Sequence, residues 1–351
     1  MTHPSPILDH LPHGVSPVYP YGMSALLEVQ DLRVEFPSAK GPVPVVEEAS
    51  FTVDAGEPVA LVGESGSGKT LSALALLNLI PPPGRIAGGR VLFKGRDVLG
   101  FSPAMLQAFR GKEAAMVFQE PLSALNPVMT IGKQVTEAVS AHESVSAKAA
   151  IARAEHLLGR VRMTDPRRIL GAYPHQLSGG MRQRAMIAMA LASGPALLIA
   201  DEPTTALDVT VQAQVLDLLN ELRESEGMAL LLITHDLGVV ARAAARVYVM
   251  YAGRIVEEAT VRDLFEAPAH PYTRGLLQSL PRLGRRERRL RAIPGAVAPP
   301  GSFHGACAFA PRCDRAEETC RNSVPALHHP SSGRAVRCLF PLAPPQEQVA
   351  P

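Results

Sequence analysis

Residues Gly63-Glu64-Ser65-Gly66-Ser67-Gly68-Lys69-Thr70 have the spacing G-x-x-x-x-G-K-[ST], between an apolar run at 58–62 and a helix-periodic stretch at 70–80. This feature restricts the fold more than any other in the chain. Glycines let a backbone curl until successive N–H groups converge on an anion, and a helix starting at the end of the loop adds its positive end. A loop of this kind is delivered by a strand and continued by a helix, so the chain must contain a strand–loop–helix unit of an α/β sheet. Gly63, Ser65, Gly66, Ser67 and Gly68 are expected to cradle phosphates. Lys69 is expected to reach the β- and γ-phosphates, and the Thr70 hydroxyl to ligate Mg²⁺.

The surrounding pattern agrees. Leu27, Val29, Leu32, Val34 and Phe36 follow a strand's alternation with one slip near Asp31, and a second strand is expected around 51–53. Runs at 196–200 and 229–233 read as buried strands, and 147–158, 178–193 and 210–224 read as helices. The Pro81-Pro82-Pro83 triplet stops the helix begun at Thr70. Strands alternating with helices give an α/β fold with a parallel sheet covered on both faces. Asp201 and Glu202 stand at the end of one such strand, where open α/β sheets bind ligands. Asp201 can hold Mg²⁺ through water, and Glu202 can polarise an attacking water as general base.

Composition bounds the remainder. With 351 residues and 46% hydrophobic content, the chain can build a sizeable core. A net charge of +2 gives no global field for nucleic acid, which is not expected as a partner. The uncharged stretch 185–200 is broken by Gly194-Pro195 and falls short of the roughly 20 residues of a spanning helix. The first 22 residues lack Lys and Arg, hence the basic start of a secretory signal, and are read as a disordered extension before Met23. From about Pro268 proline and arginine rise and periodicity fades. The expected organisation is an extension at 1–22, a nucleotide-binding domain at 23–267, a smaller region at 268–340 and a disordered tail at 341–351. No motif occurs twice. The run 282–291, with six arginines and one acid, reads as a solvated face.

Four further segments complete a recognisable series: Val117-Phe118-Gln119-Glu120-Pro121, Leu177-Ser178-Gly179-Gly180-Met181-Arg182-Gln183-Arg184, Thr205-Ala206-Leu207-Asp208 and Ile233-Thr234-His235-Asp236. In this order they resemble the Q-loop, signature motif, D-loop and switch-histidine segment of ABC-transporter ATPases, over about 26–264. The resemblance implies a P-loop ABC ATPase with a parallel-sheet core, an antiparallel β subdomain and a helical subdomain. It implies ATP as the nucleotide and a head-to-tail pair of ATPase subunits. Ser178, Gly179 and Gly180 would contact the γ-phosphate held by the partner chain. Gln119 would sense the γ-phosphate and Mg²⁺, and His235 would hold the γ-phosphate and the attacking water. Asp208 would link the two sites. Phe36 is the candidate for stacking on adenine, an ordinary strand-core role being the alternative.

Longer strings narrow the resemblance. Leu125-Asn126-Pro127-Val128-Met129-Thr130-Ile131-Gly132, Asp208-Val209-Thr210-Val211-Gln212-Ala213-Gln214 and His270-Pro271-Tyr272-Thr273-Arg274-Gly275-Leu276-Leu277 are similar to the ATPase subunits of oligopeptide/dipeptide and nickel importers. Ile293-Pro294-Gly295 and a cysteine cluster follow, so that the resemblance reaches about residue 340. All four cysteines, Cys307, Cys313, Cys320 and Cys338, are spaced C-x₅-C-x₆-C-x₁₇-C, unlike the C-x₂-C pairs usual for zinc. Four thiols so close in sequence can hold an iron–sulfur cluster, a zinc ion or two disulfides, and a reducing cytoplasm disfavours disulfides. The resemblance implies a [4Fe–4S] cluster, with zinc as the alternative, although His304-Gly305-Ala306 replaces the proline-rich approach that the family leads one to expect.

The expectation is therefore an ATP-hydrolysing subunit of a peptide importer, peripheral on the cytoplasmic face of the inner membrane. Its implied partners are a second ATPase subunit in a heterodimer, two transmembrane permease subunits and, indirectly, an extracytoplasmic solute-binding protein. The same machinery carrying nickel or another small solute is one alternative. A soluble ABC ATPase without transport is another, but such proteins carry two cassettes or a long coiled-coil insertion, and the segment 120–177 shows no sustained heptads.

Overall fold

A computed structural model describes residues 25–343 except 206, 281–291, 298, 303, 304 and 332. The expectations for 1–22, Ala206, His304, 282–291 and the tail from 344 lie outside the described residues. In chain order the strands are β1 (Leu27–Phe36), β2 (Val43–Val53), β3 (Pro58–Val62), β4 (Arg85–Phe93), β5 (Arg96–Asp97), β6 (Ala114–Val117), β7 (Leu197–Asp201), β8 (Ala229–Thr234), β9 (Arg246–Tyr251), β10 (Arg254–Thr260), β11 (His328–Ser331) and β12 (Arg334–Val336). The helices are α1 (Lys69–Leu76), α2 (Pro103–Phe109), α3 (Pro121–Ala124), α4 (Ile131–Ser140), α5 (Ala147–Arg160), α6 (Pro166–Leu170), α7 (Gly179–Ala190), α8 (Val209–Glu226), α9 (Leu237–Ala243), α10 (Val261–Glu266), α11 (Pro271–Gln278) and α12 (Glu318–Asn322). They fall into two units, one within 1–52, 59–96 and 234–351, the other within 53–58 and 97–233.

The first unit holds the antiparallel β subdomain, in the order β2-β1-β4-β5. The slip near Asp31 is a β-bulge: the β1–β4 register shifts between Gln30 and Arg33, and Asp31 takes a left-handed φ of 44°. Ser50 Oγ steadies it by accepting from the Asp31 backbone N–H at 2.9 Å and donating to its carboxylate at 3.0 Å. In the same unit β3 runs parallel to β9, and β9, β10, β12 and β11 continue antiparallel. Val62, Val249, Tyr251, Tyr272 and Phe309 share one apolar core there.

Helix α1 stops at Leu76, short of the expected Ile80, because Asn78 adopts φ 50°. Leu79 N–H then reaches Leu74 C=O (2.8 Å) and Asn78 N–H reaches Ala75 C=O (2.9 Å), which closes the helix before the prolines. The region from 268 onward is more regular than its composition implies. Helix α11 opens with Pro271 in its first turn, and β12 joins the sheet through Glu257↔Val336. The Glu257 carboxylate, fully buried, accepts from the backbone N–H groups of Ala269 (2.6 Å) and His270 (2.8 Å) and pins the chain where it leaves α10. Burial pushes this carboxyl above the usual range, and those N–H groups oppose the shift. The chain is still anchored at Leu342, whose N–H donates to Ala269 C=O at 2.8 Å.

The second unit holds β8, β7 and β6, all parallel, every residue of β6, β7 and β8 being buried. Its helices α4, α5, α6 and α7 pack on one another as the helical subdomain. Thr130, Ser146, Ser178 and Asp208 each accept a backbone N–H at the start of a helix, which gives α4, α5, α7 and α8 their first residues. No helix among the described residues is long and apolar enough to cross a membrane.

Candidate nucleotide site

Strand β3 delivers the phosphate loop and α1 leaves it, as the motif requires. Gly66 (φ 79°) and Gly68 (φ 104°) supply the left-handed turns that an L side chain resists. Gly63 has a steric reason instead, since a Cβ there would stand 2.2 Å from the Met250 carbonyl oxygen. Gly253 N–H donates to Ser67 C=O at 2.9 Å and braces the loop from the β9–β10 turn. The Lys69 side chain is buried along the loop, its Nζ donating to the carbonyls of Gly63 (2.8 Å) and Glu64 (2.9 Å). Ser67 and Gly68 are buried, whereas Ser65, Gly66 and Thr70 face outward. Such a curled loop with a lysine held ready has the donor chemistry of a triphosphate site.

In the second unit β7 ends on Asp201, which is buried, and Glu202 follows with φ 45°. That left-handed backbone is tied down by Glu202 N–H to Ile233 C=O (2.8 Å) and Thr205 N–H to Glu202 C=O (3.1 Å). It turns the carboxylate to Gln119, whose Nε2 donates at 3.2 Å, and to Thr205, whose Oγ1 donates at 2.8 Å. Gln119 and Glu202 thus meet across a sequence separation of 83 residues. Thr205 is legible in the sequence only as part of the D-loop, and its hold on Glu202 has no local sequence signal.

Ser178 caps α7 with its Oγ accepting from Met181 N–H, and Ser178 and Gly179 are exposed. Gly180 has a packing reason: a Cβ there would lie 2.6 Å from Val211 Cγ1 on α8. Asp208 caps α8 through Val211 N–H at 3.0 Å, so the signature and D-loop segments meet at the starts of two touching helices. Phe118, Leu122 and Val128 expose 40, 60 and 80% of their surface beside Gln119, a large apolar display for one short segment. His235 is exposed, and Asp236 beside it caps α9 through Gly238 N–H at 2.7 Å. Phe36 is half-buried with its ring closed on Gly84, where a Cβ would come within 2.5 Å of Cζ.

Cys307, Cys313, Cys320 and Cys338 line one cavity of about 20 Å³ together with His270, Phe309 and Phe340. Burial, with the charges of neighbouring thiols, pushes the Cys338 thiol up to about 11 and raises Cys307 and Cys313 as well. Burial holds the His270 imidazole down at about 3, and its Nδ1 accepts from Tyr272 N–H at 3.0 Å. Among the described residues no three or more His, Cys, Asp or Glu side chains are grouped to hold a single metal ion.

Residues 46–205 match the family described as ABC transporter, and 256–320 match the oligopeptide/dipeptide transporter C-terminal region. The oligopeptide transport ATP-binding protein AppD of Bacillus subtilis is 49% identical over 91% of this chain and 97% of its own. The dipeptide transport ATP-binding protein DppD of Escherichia coli is 47% identical over 91% and 97%. Among solved structures, the dimeric post-hydrolysis state of the ATP-binding cassette MJ0796 bound to ADP and Pi superposes with a TM-score of 0.61 at 26% identity, covering 67% of this chain and 99% of that one. The phosphate loop after β3, the acid pair at the end of β7 and the capped signature helix thus stand in a chain that belongs to the ABC-transporter ATPases, within the family of oligopeptide/dipeptide transport ATP-binding proteins.

Proposed function

We propose that this ATPase drives uptake of di- and oligopeptides. The observation that carries the reading is the match of 256–320 to the peptide-transporter C-terminal region, a segment apart from the cassette motifs that ABC ATPases share. Lys69 and the loop amides take the β- and γ-phosphates, and Phe36 stacks on adenine. Mg²⁺, when bound, would be held by Thr70, Gln119 and Asp201 and would neutralise charge developing on the phosphate oxygens. A buried aspartate ending a strand and an exposed threonine opening α1 suit a hard cation with oxygen ligands. Glu202 accepts the proton of the attacking water as its oxygen bonds to the γ-phosphorus and the bond to the β–γ bridging oxygen breaks. His235 orients that water and the γ-phosphate. Ser178 and Gly179 are exposed at a helix N-terminus and Gly180 half-exposed beside them, as groups serving a partner subunit's nucleotide must be. Asp208 links the two sites.

The partners follow from this reading: a second, different ATPase subunit, two transmembrane permease subunits, and an extracytoplasmic binding protein that delivers the peptide to them. The exposed Phe118, Leu122 and Val128, near Gln119 in the chain, support a membrane-subunit contact there, and with such a contact the protein would sit peripherally on the cytoplasmic face of the inner membrane. Proteoliposomes holding the complete complex are expected to accumulate a labelled dipeptide only with ATP inside the compartment that this subunit faces. ATP-dependent uptake of nickel with none of peptide would overturn the substrate assignment.

The four thiols around one cavity are the Cys₄ donor set of a [4Fe–4S] cluster, with zinc as the alternative. Cys307, Cys313, Cys320 and Cys338 would hold the cluster, which when bound would cross-link the extension. Protein purified anaerobically is expected to be brown, with about four irons and four acid-labile sulfides per chain. Stoichiometric zinc without sulfide would remove the cluster.

A further inference from the structure

Glu64 fills one of the free positions of the phosphate loop, where the motif asks for no particular side chain. All its polar groups are nonetheless engaged. Its backbone N–H donates to the Tyr272 hydroxyl at 2.9 Å. Its carbonyl accepts from Lys69 Nζ at 2.9 Å. Its carboxylate takes both arms of the Arg312 guanidinium, at 2.6 and 3.0 Å. Two of these three partners come from the C-terminal extension, and Arg312 lies 248 residues away in sequence.

Both partners are themselves fixed. Arg312 is 8% exposed, its Nε donates to Pro294 C=O at 2.9 Å, and its guanidinium sits 5.8 Å from the centre of the Tyr251 ring. Its charge is held more firmly than usual by the hydrogen bond to Glu64. Tyr272 is fully buried, with ring centres of Tyr251 and Phe309 at 4.6 and 5.4 Å. Arg312 also occupies the turn Ala310–Arg312, directly before Cys313. A carboxylate inside an anion-binding loop opposes a triphosphate unless a cation neutralises it. The bidentate arginine does so, while the Tyr272 hydroxyl holds the Glu64 backbone whose carbonyl accepts from Lys69.

We propose that Arg312 and Tyr272 are positioning residues for the phosphate loop: Arg312 cancels the charge of the Glu64 carboxylate, and Tyr272 holds the Glu64 backbone and so sets the carbonyl from which Lys69 is handed to the phosphates. The C-terminal extension is thereby a working part of the nucleotide site. The inference rests on nucleotide binding at this loop. Failure of the wild-type chain to bind nucleotide would strike that reading, whereas a difference confined to the variants addresses the clamp alone.

The test uses a fluorescent ATP analogue titrated into the full-length chain as wild type, R312Q, E64Q and R312Q/E64Q, with thermal melts confirming folding. R312Q is expected to raise Kd about tenfold, since an uncompensated carboxylate next to the phosphates repels them. Removing that charge in R312Q/E64Q is expected to recover most of the loss, which a purely structural role for Arg312 would not allow. In ATPase assays of the assembled complex R312Q is expected to raise KM more than it lowers kcat. An unchanged Kd in R312Q, or a double variant as weak as R312Q, overturns the proposal. Should R312Q fail to fold, Y272F keeps the ring packing and carries the test: Kd raised about threefold, as a single lost hydrogen bond predicts, supports it, and an unchanged Kd overturns it.

Discussion

Replacing Glu202 with Gln is expected to stop steady-state ATP hydrolysis while leaving nucleotide bound. The substitution keeps the side chain's length and volume. The left-handed backbone at position 202 is held by the Ile233 and Thr205 hydrogen bonds, which belong to the main chain and survive the change. The amide that replaces the carboxylate can still accept from the Thr205 hydroxyl through its oxygen. What is lost is the capacity to take a proton. General-base catalysis contributes roughly 10²–10⁴-fold, so turnover should fall by about that factor with little change in KM for ATP. Single-turnover phosphate release from the reconstituted complex, with ATP trapped on the protein, is the measurement. Near-normal turnover would strip Glu202 of this role and direct attention to His235.

The second large effect is steric. Gly63→Ala places a methyl carbon 2.2 Å from the Met250 carbonyl oxygen and 2.8 Å from Ser67 Oγ. The carbonyl belongs to β9 in the middle of a sheet, so it cannot swing aside as a flexible side chain would. Overpacking of this kind costs about 3 kcal/mol. The loop must shift to relieve it, and Lys69 shifts too, because Gly63 C=O is one of its two close carbonyl acceptors. A displacement of about 1 Å at such a site costs roughly 100-fold in rate, so ATP turnover should fall by about that factor and nucleotide binding should weaken with it. Gly100→Ala is the control: nothing lies within 4 Å of its added Cβ and its φ is ordinary, so stability should stay within about 0.5 kcal/mol. Isothermal titration with ATP and thermal melts of both variants separate the two outcomes. Wild-type affinity in Gly63→Ala would mean that the loop does not depend on the close approach to β9.

Much of the nucleotide machinery can be read along the chain because its determinants are local. The phosphate loop is eight consecutive residues whose conformation follows from glycines and a helix start. The caps Ser178 and Asp208 bond to N–H groups three residues ahead. Even the irregularity near Asp31 is visible, since a bulge must break the two-residue alternation, and the register shift lies there. The end of α1 is misplaced by the sequence pattern for an equally local reason: proline is a conspicuous stop, but Asn78 can adopt the left-handed turn that ends a helix earlier. The region after 268 reads as irregular because its strands and helices are short. β12 has three residues and is held between β10 and β11.

From its sequence alone this protein is legible as a phosphate-binding α/β chain, because backbone curling, capping and strand burial depend on neighbours a few residues apart; the ATPase activity and the family-specific cysteine-bearing extension come from the resemblance of its motifs. Only the tertiary structure decides what the extension touches. The Glu64–Arg312 clamp, the Tyr272 hydroxyl on the loop, Gln119 on Glu202 and the shared cavity of four thiols each join residues that no local periodicity relates. Where the extension meets the loop is set by which faces pack together in the core around Val249, Tyr251 and Phe309. A buried arginine can keep its charge there only where the fold supplies a carboxylate, a condition visible in three dimensions and silent in one.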